Sequence, residues 1–277
     1  MTMNRESVIE KLKDLKEKGY IVPSEDMIKT NEEIEKIREV AKINIETLDL
    51  IEKNIKVGMT TDELNNLAHE FITSKGAESK FLNVLNPLTK QKYTKSISIS
   101  RNNEASLNVS NTNRVLEDGD IVNVCVVIKY NGYSSDVSRM FMVGNVSDDA
   151  KKLVEVAKEC TLKGIEAIKP WKRVGNVFDA IEKHAKDNGY STSDFIGHGI
   201  GTITFEKLML YNNADMDMDM VLVPGMALTL EPIIAQGNKD CYMGDDGCVY
   251  YTCDGKLVSQ WAYTFLVTEN GVEILGK

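Results

Sequence analysis

Three residues in this chain have the types and settings of metal ligands. His198 sits in Gly197-His198-Gly199-Ile200-Gly201. Its glycine neighbours carry no bulk, so backbone, substrate or a cation can approach the imidazole closely. Asp136 lies in Ser135-Asp136-Val137-Ser138, and Glu231 lies in Leu230-Glu231-Pro232. Both carboxylates stand in apolar, strand-like surroundings, where an uncompensated charge is costly. Two carboxylates and an imidazole brought to one place can bind a divalent cation, which would offset the cost of their burial. Each residue also has a simpler reading. His198 could hydrogen-bond inside a closed core, and Asp136 could cap a turn or accept backbone N–H groups. Glu231 resists such a reading, because a buried glutamate without partner or metal would shift its pKa upward or destabilise the fold. A direct bond between His198 and Glu231 would satisfy both without a metal.

The elements that must carry these residues come in two copies. Thr30-Asn31-Glu32-Glu33 reads as a helix cap, followed by Ile34, Ile37, Val40, Ala41, Ile45, Leu48 and Ile51 on one face. Val57-Gly58-Met59 makes a break, and Thr60-Thr61-Asp62-Glu63 caps a second helix to about Ser74. Glu155-Val156-Ala157-Lys158 then repeats Glu39-Val40-Ala41-Lys42, Arg173-Val174-Gly175 repeats Lys56-Val57-Gly58, and Ile181 and Ala185 stand where Leu64 and Ala68 stood. Only two copies fit, so this is a two-fold repeat and not a solenoid.

Strand signals follow each helix pair. Lys95 to Ser100 alternates, and Asp120 to Tyr130 is β-branched and apolar. Asn131-Gly132 is a strong turn signal, with Arg139 to Val143 as the expected hairpin partner. In the second half, Met226 to Leu230, Cys248 to Thr252 and Leu257 to Val267 read as strands, and Asn212 to Met220 reads as a loop. Helix pairs on one face of a curved, mostly antiparallel sheet predict an α+β fold with pseudo-two-fold symmetry. Before the repeat, residues 4–19 carry Val8, Leu12 and Leu15 at the spacing of a short amphipathic helix, ended by Gly19 and Pro23. This helix is expected to dock on its own domain rather than on a partner.

Composition narrows the function. A net charge of -9 disfavours a nucleic-acid partner held by phosphate contacts. No apolar run has the length to span a bilayer, and the charged N-terminus lacks the apolar core of a signal peptide, so the expected location is the cytosol. The five cysteines are odd in number and irregular in spacing, which argues against a disulfide framework. Cys241, Cys248 and Cys253 cluster without a Cys-x-x-Cys pair; they read as separate thiols, with a structural zinc site as the lesser alternative.

Five segments together resemble the methionine aminopeptidases. They are Glu117-Asp118-Gly119-Asp120-Ile121-Val122-Asn123, Ser138-Arg139-Met140-Phe141, Gly197-His198-Gly199-Ile200-Gly201, Pro224-Gly225-Met226 and Leu230-Glu231-Pro232. The resemblance covers about residues 28–277. It implies a pita-bread domain over 28–277, preceded by an N-terminal helical extension over 1–27. It also implies a site for two divalent metals, held by two aspartates, a histidine and two glutamates. Asp136, His198 and Glu231 match three of those ligands. By the same register Cys125 replaces the first aspartate and Ala262 replaces the bridging glutamate. Two further family histidines act on the substrate amide and the tetrahedral intermediate. Their places fall on Phe205 and near Asn108, with Leu107 as the alternative for the latter. Tyr93 matches a tyrosine of the substrate pocket, while Ser98, Thr204 and Cys248 stand where the family has other residues.

Charge balance sets the functional expectation. Two carboxylates, with Cys125 in reach, can neutralise about one dication and not two. The expected cofactor is therefore none or one divalent metal, zinc first if a metal is present. The leading expectation is a methionine-aminopeptidase-like protein without aminopeptidase activity. It would bind a peptide or protein N-terminus through the old cleft. The alternative is a mononuclear metal-dependent aminopeptidase or related hydrolase.

Overall fold

Helix formation begins at caps the sequence spells out. Thr30 accepts from the Glu33 N–H while the Glu33 carboxylate accepts from the Thr30 N–H, and Thr60 and Glu63 repeat the arrangement. These reciprocal pairs satisfy donors that a helix start leaves open. In the computed structural model, which describes residues 3–85, 90, 92–106, 113–211, 220–245, 247 and 249–276, they start helices α2 (Asn31–Asn54) and α3 (Thr61–Ser74). Helix α1 (Arg5–Glu17) precedes them; α4 (Asp148–Ala167) and α5 (Gly175–Asp187) form the second pair. None of the described helices is long and apolar enough to cross a membrane.

Each pair covers its own strands. Val40, Leu48, Ile51, Leu64 and Ile72 pack on Val122, Val124, Val126 and Ile128, all buried. Leu153, Ala157, Phe178 and Ile181 pack on Leu228 and Phe265 in a second cluster. Val8 and Leu12 of α1 are buried in that second cluster beside Met27 and Ile28. Arg5 fastens the connection by donating to the Ile28 and Glu25 carbonyls. The N-terminal helix is thus docked on its own chain, as its apolar stripe predicts.

The first sheet runs through Ser98–Arg101, Ile121–Tyr130 and Tyr133–Met142. The second runs Gly271–Ile274, Tyr263–Thr268, Ala227–Leu230, Phe195–Gly199 and Met209–Tyr211. Every pairing among the described strands is antiparallel. This is the α+β pita-bread architecture the repeat implies.

Three strand expectations need correction. The hairpin partner of Ile121–Tyr130 starts at Tyr133, directly after the turn, and not at Arg139. Asn131 and Gly132 both have positive φ, so the turn closes in two residues and pairing resumes at once. Buried Ser134, Ser135 and Asp136 disguise the strand by their polarity. The 257–267 run is two strands, Val258–Gln260 and Tyr263–Thr268. Trp261 and Ala262 break it: the indole donates to the Val154 carbonyl, and Ala262 exchanges both backbone bonds with Ser138 of the first half. The strand expected at Cys248 begins at Tyr250. Cys248, and Asn212 to Ala214 with the five residues after them, lie outside the described residues.

Candidate metal centre

Antiparallel pairing gathers the three expected ligands from separate strands. Asp136 lies on Tyr133–Met142, His198 on Phe195–Gly199, and Glu231 just past Ala227–Leu230. Thr229 pairs with His198, and the Glu231 N–H donates to the Ile196 carbonyl. Gly197 is required at this crossing. A Cβ there would overlap the Thr229 carbonyl oxygen. Asp136 is clamped through its backbone: its N–H donates to Thr264 Oγ1, and the hydroxyls of Thr264 and Thr229 donate to its carbonyl. Gln260 holds Glu231 the same way, donating from Nε2 to its carbonyl. Nothing in sequence spacing marks Thr264, Thr229 or Gln260, because each acts across a strand pair.

One ligand atom from each of Asp136, His198 and Glu231 lies within 4.8 Å of the others, and all three residues are buried. His198 Nδ1 lies 2.9 Å from the Gly199 carbonyl. A carbonyl only accepts, so Nδ1 carries a proton and Nε2 is turned to the carboxylates. Nε2 is 3.4 Å from Glu231 Oε1 and 3.7 Å from Asp136 Oδ2. Neither approach is aligned as a hydrogen bond, and the buried Nε2 has no hydrogen-bond partner. The direct His198–Glu231 bond that would satisfy both residues is therefore not made.

Electrostatics follow from this packing. Burial pushes the His198 pKa down, and the Asp136 and Glu231 carboxylates more than offset it, raising it to about 10. Burial, then the Asp136 charge, pushes Glu231 up against the opposing pull of His198. Burial, with Asp136 and Glu231 adding to it, pushes Cys125 well up. Cys125 thus remains a thiol and donates to Asp136 Oδ1 at 3.4 Å. It adjoins the three ligands as a hydrogen-bond donor and is not part of the mutually close set.

A neutral imidazole would turn a lone pair toward two carboxylates, an arrangement relieved by a proton on Nε2 when no metal is bound or by a cation held between the three groups. The three donors, brought this close, fit a divalent ion. Ala262, at the place of a bridging carboxylate, is fully buried against Ser138 and offers no side-chain ligand.

Asp136 and Glu231 open on a cavity of about 520 Å³. Its walls are largely apolar and include Phe81, Tyr93, Phe195, Phe205 and Ile233, with Asp136, Glu231 and Cys125 at the polar end. Tyr93, Thr204 and Phe205 line the cleft. The Phe205 ring stands 4.3 Å from the His198 ring and is 54% exposed. Ser98 is buried opposite Cys125 on the neighbouring strand. Asn108 and its alternative Leu107 lie outside the described residues. The cleft residues Lys80, Phe81 and Phe195 escape sequence reasoning, since no recurring interval ties them to the ligands.

This fold matches that of a family of metallopeptidases. The model of metallopeptidase family M24 matches residues 35–269, and the chain belongs to that family. Its relatives include methionine aminopeptidase A of Synechocystis, 39% identical over 244 residues, covering 88% of this chain and 94% of that protein. Methionine aminopeptidase of Rickettsia prowazekii is 36% identical over 249 residues, covering 89% and 93%. The crystal structure of methionine aminopeptidase from Rickettsia prowazekii superposes with a TM-score of 0.81 at 35% identity, over 90% of this chain and 99% of that one. Prolidase from Pyrococcus furiosus shares the fold alone, at a TM-score of 0.71 and 22% identity. The chain is methionine-aminopeptidase-like along nearly its whole length.

Proposed function

We propose that this protein is a single-metal aminopeptidase-like hydrolase that takes the N-terminus of a peptide into the cleft beside His198. The observation that carries the reading is the buried convergence of Asp136, His198 and Glu231, one ligand atom from each lying within 4.8 Å of the others. Kinship with proteins named methionine aminopeptidases supports peptide-bond hydrolysis as the chemistry. Asp136, His198 and Glu231 would hold the ion, and their mixed oxygen and nitrogen donors suit zinc. When bound, such an ion supplies Lewis acidity and an activated water. The chain's own residues do the rest. Gly199 fixes the imidazole tautomer, the two threonines and Gln260 hold the carboxylates in place, and the apolar walls exclude water. The net charge of -9 supports peptides over nucleic acids as partners, and we take the cytosol as the location.

A second reading is capture of a peptide terminus without cleavage. Phe205 favours it. A phenyl ring beside His198 cannot move a proton, and a lost acid–base group typically costs about 10²–10⁴-fold in rate. One experiment serves both. The protein is equilibrated separately with Zn²⁺, Mn²⁺, Fe²⁺ and Co²⁺, its metal content is measured, and short Met-initiated peptides are then supplied. About one ion per chain, with turnover that Glu231→Ala abolishes, is expected. One ion with peptide binding and no turnover selects capture. Two ions, or none, would sink the single-metal site.

A further inference from the structure

We propose that Lys80 selects peptides that carry a carboxylate close to their N-terminus. This rests on the cleft being a peptide-terminus site. From Ser79 to Asn103 the chain has no aspartate or glutamate, although its net charge is -9. The basic residues in that segment are Lys80, Lys90, Lys92, Lys95 and Arg101. Lys95 pairs with Asp62 and Arg101 with Asp120, both away from the cavity lining. Lys80 instead lines the cavity, and its ammonium has no ion pair or hydrogen bond among the described residues.

Register fixes where it stands. The Lys80 N–H donates to the Val127 carbonyl, and Val127 pairs with Asp136. Lys80, Val127 and Asp136 therefore form one row across adjacent strands, and all three line the cleft. Two strand spacings separate Lys80 from Asp136 by about 10 Å along that row. The two ends of the row differ, with the metal ligands Asp136 and Glu231 at one and Lys80 at the other. Between them the walls are Phe81, Val127 and other apolar groups. A ligand complementary to the metal-loaded row has its N-terminus at the metal site, an apolar middle and an anion roughly two or three residues on, at about 3.5 Å per extended residue. A carboxylate meets that need either as an acidic side chain at the second or third position or as the C-terminus of a very short peptide.

Binding to the metal-loaded protein is measured by calorimetry at low ionic strength with four peptides: Met-Ala-Ala-amide, Met-Asp-Ala-amide, Met-Lys-Ala-amide and Met-Ala-Ala with a free C-terminus. The two carboxylate peptides are expected to bind about 3–10-fold tighter than the neutral amide, and the Lys-containing peptide more weakly. The arm that gains more names the source of the carboxylate. Lys80→Gln should remove the preference without changing the metal content, and Lys80→Glu should reverse it in favour of Met-Lys-Ala-amide. Equal binding of acidic and neutral peptides, or a preference that survives Lys80→Gln, overturns the assignment and leaves the peptide cleft standing. Failure of all four peptides to bind overturns both.

Discussion

At the residue scale the site is governed by how protons and carboxylates share a buried space. Without metal, His198 holds a proton more tightly when folded, at a pKa of about 10 against the ordinary 6.5. A raised pKa stabilises the native state fully below pH 6.5, and that stabilisation is lost as pH rises through about 10. Urea midpoints of the metal-free protein should therefore fall between neutral pH and about pH 10.5, and His198→Gln should flatten most of that fall. A pH dependence unchanged by His198→Gln would contradict the assignment. Thr264 acts one step further out, through the Asp136 backbone. Thr264→Val keeps the shape and removes the hydroxyl, so metal affinity should drop about tenfold, with about 1–3 kcal/mol of stability lost as the Asp136 N–H and carbonyl go unpaired. A competition titration with a chelator checks it.

At the element scale the strand pairings are the positioning device. Gly197 lies where Phe195–Gly199 crosses close to Thr229. Gly197→Ala must push the strands apart, and His198 moves with its strand. We expect a folded but less stable protein, by about 1–3 kcal/mol, with metal binding weakened more than stability. Thermal melts with and without metal separate the two effects. The element scale also shows what a sequence conceals. The starts of helices α2 and α3 were legible because their capping pairs are local. His198, Asp136 and Glu231 were legible because glycine and apolar neighbours set them apart. The start of the Tyr133–Met142 strand was hidden, since its buried serines satisfy needs created by another strand: Ser135 meets the Thr264 hydroxyl. Lys80 and Phe195 were hidden for the same reason, as cleft membership arises from pairing and leaves no interval along the chain.

At the scale of the whole molecule, two helix-covered cores meet at the ligand site, and α1 belongs to one of them. Burying Val8 and Leu12 contributes roughly 1.5–3 kcal/mol each by their removal from water. Deleting residues 1–27 should lower the melting temperature and expose Ile28 and its neighbours, while Asp136, His198 and Glu231 keep their strands. A truncated protein that melts like the full chain would show that the helix is only laid on the surface.

The meeting of Ala262 and Ser138 has one more consequence. Their two backbone hydrogen bonds close the line between the halves, and deuterium reaches those amides only when the halves separate. Asp136 belongs to one half, His198 and Glu231 to the other. An ion gripped from both sides would act as a rivet across that line, so exchange at the 138 and 262 amides should slow on metal addition while that of the helix ends stays constant.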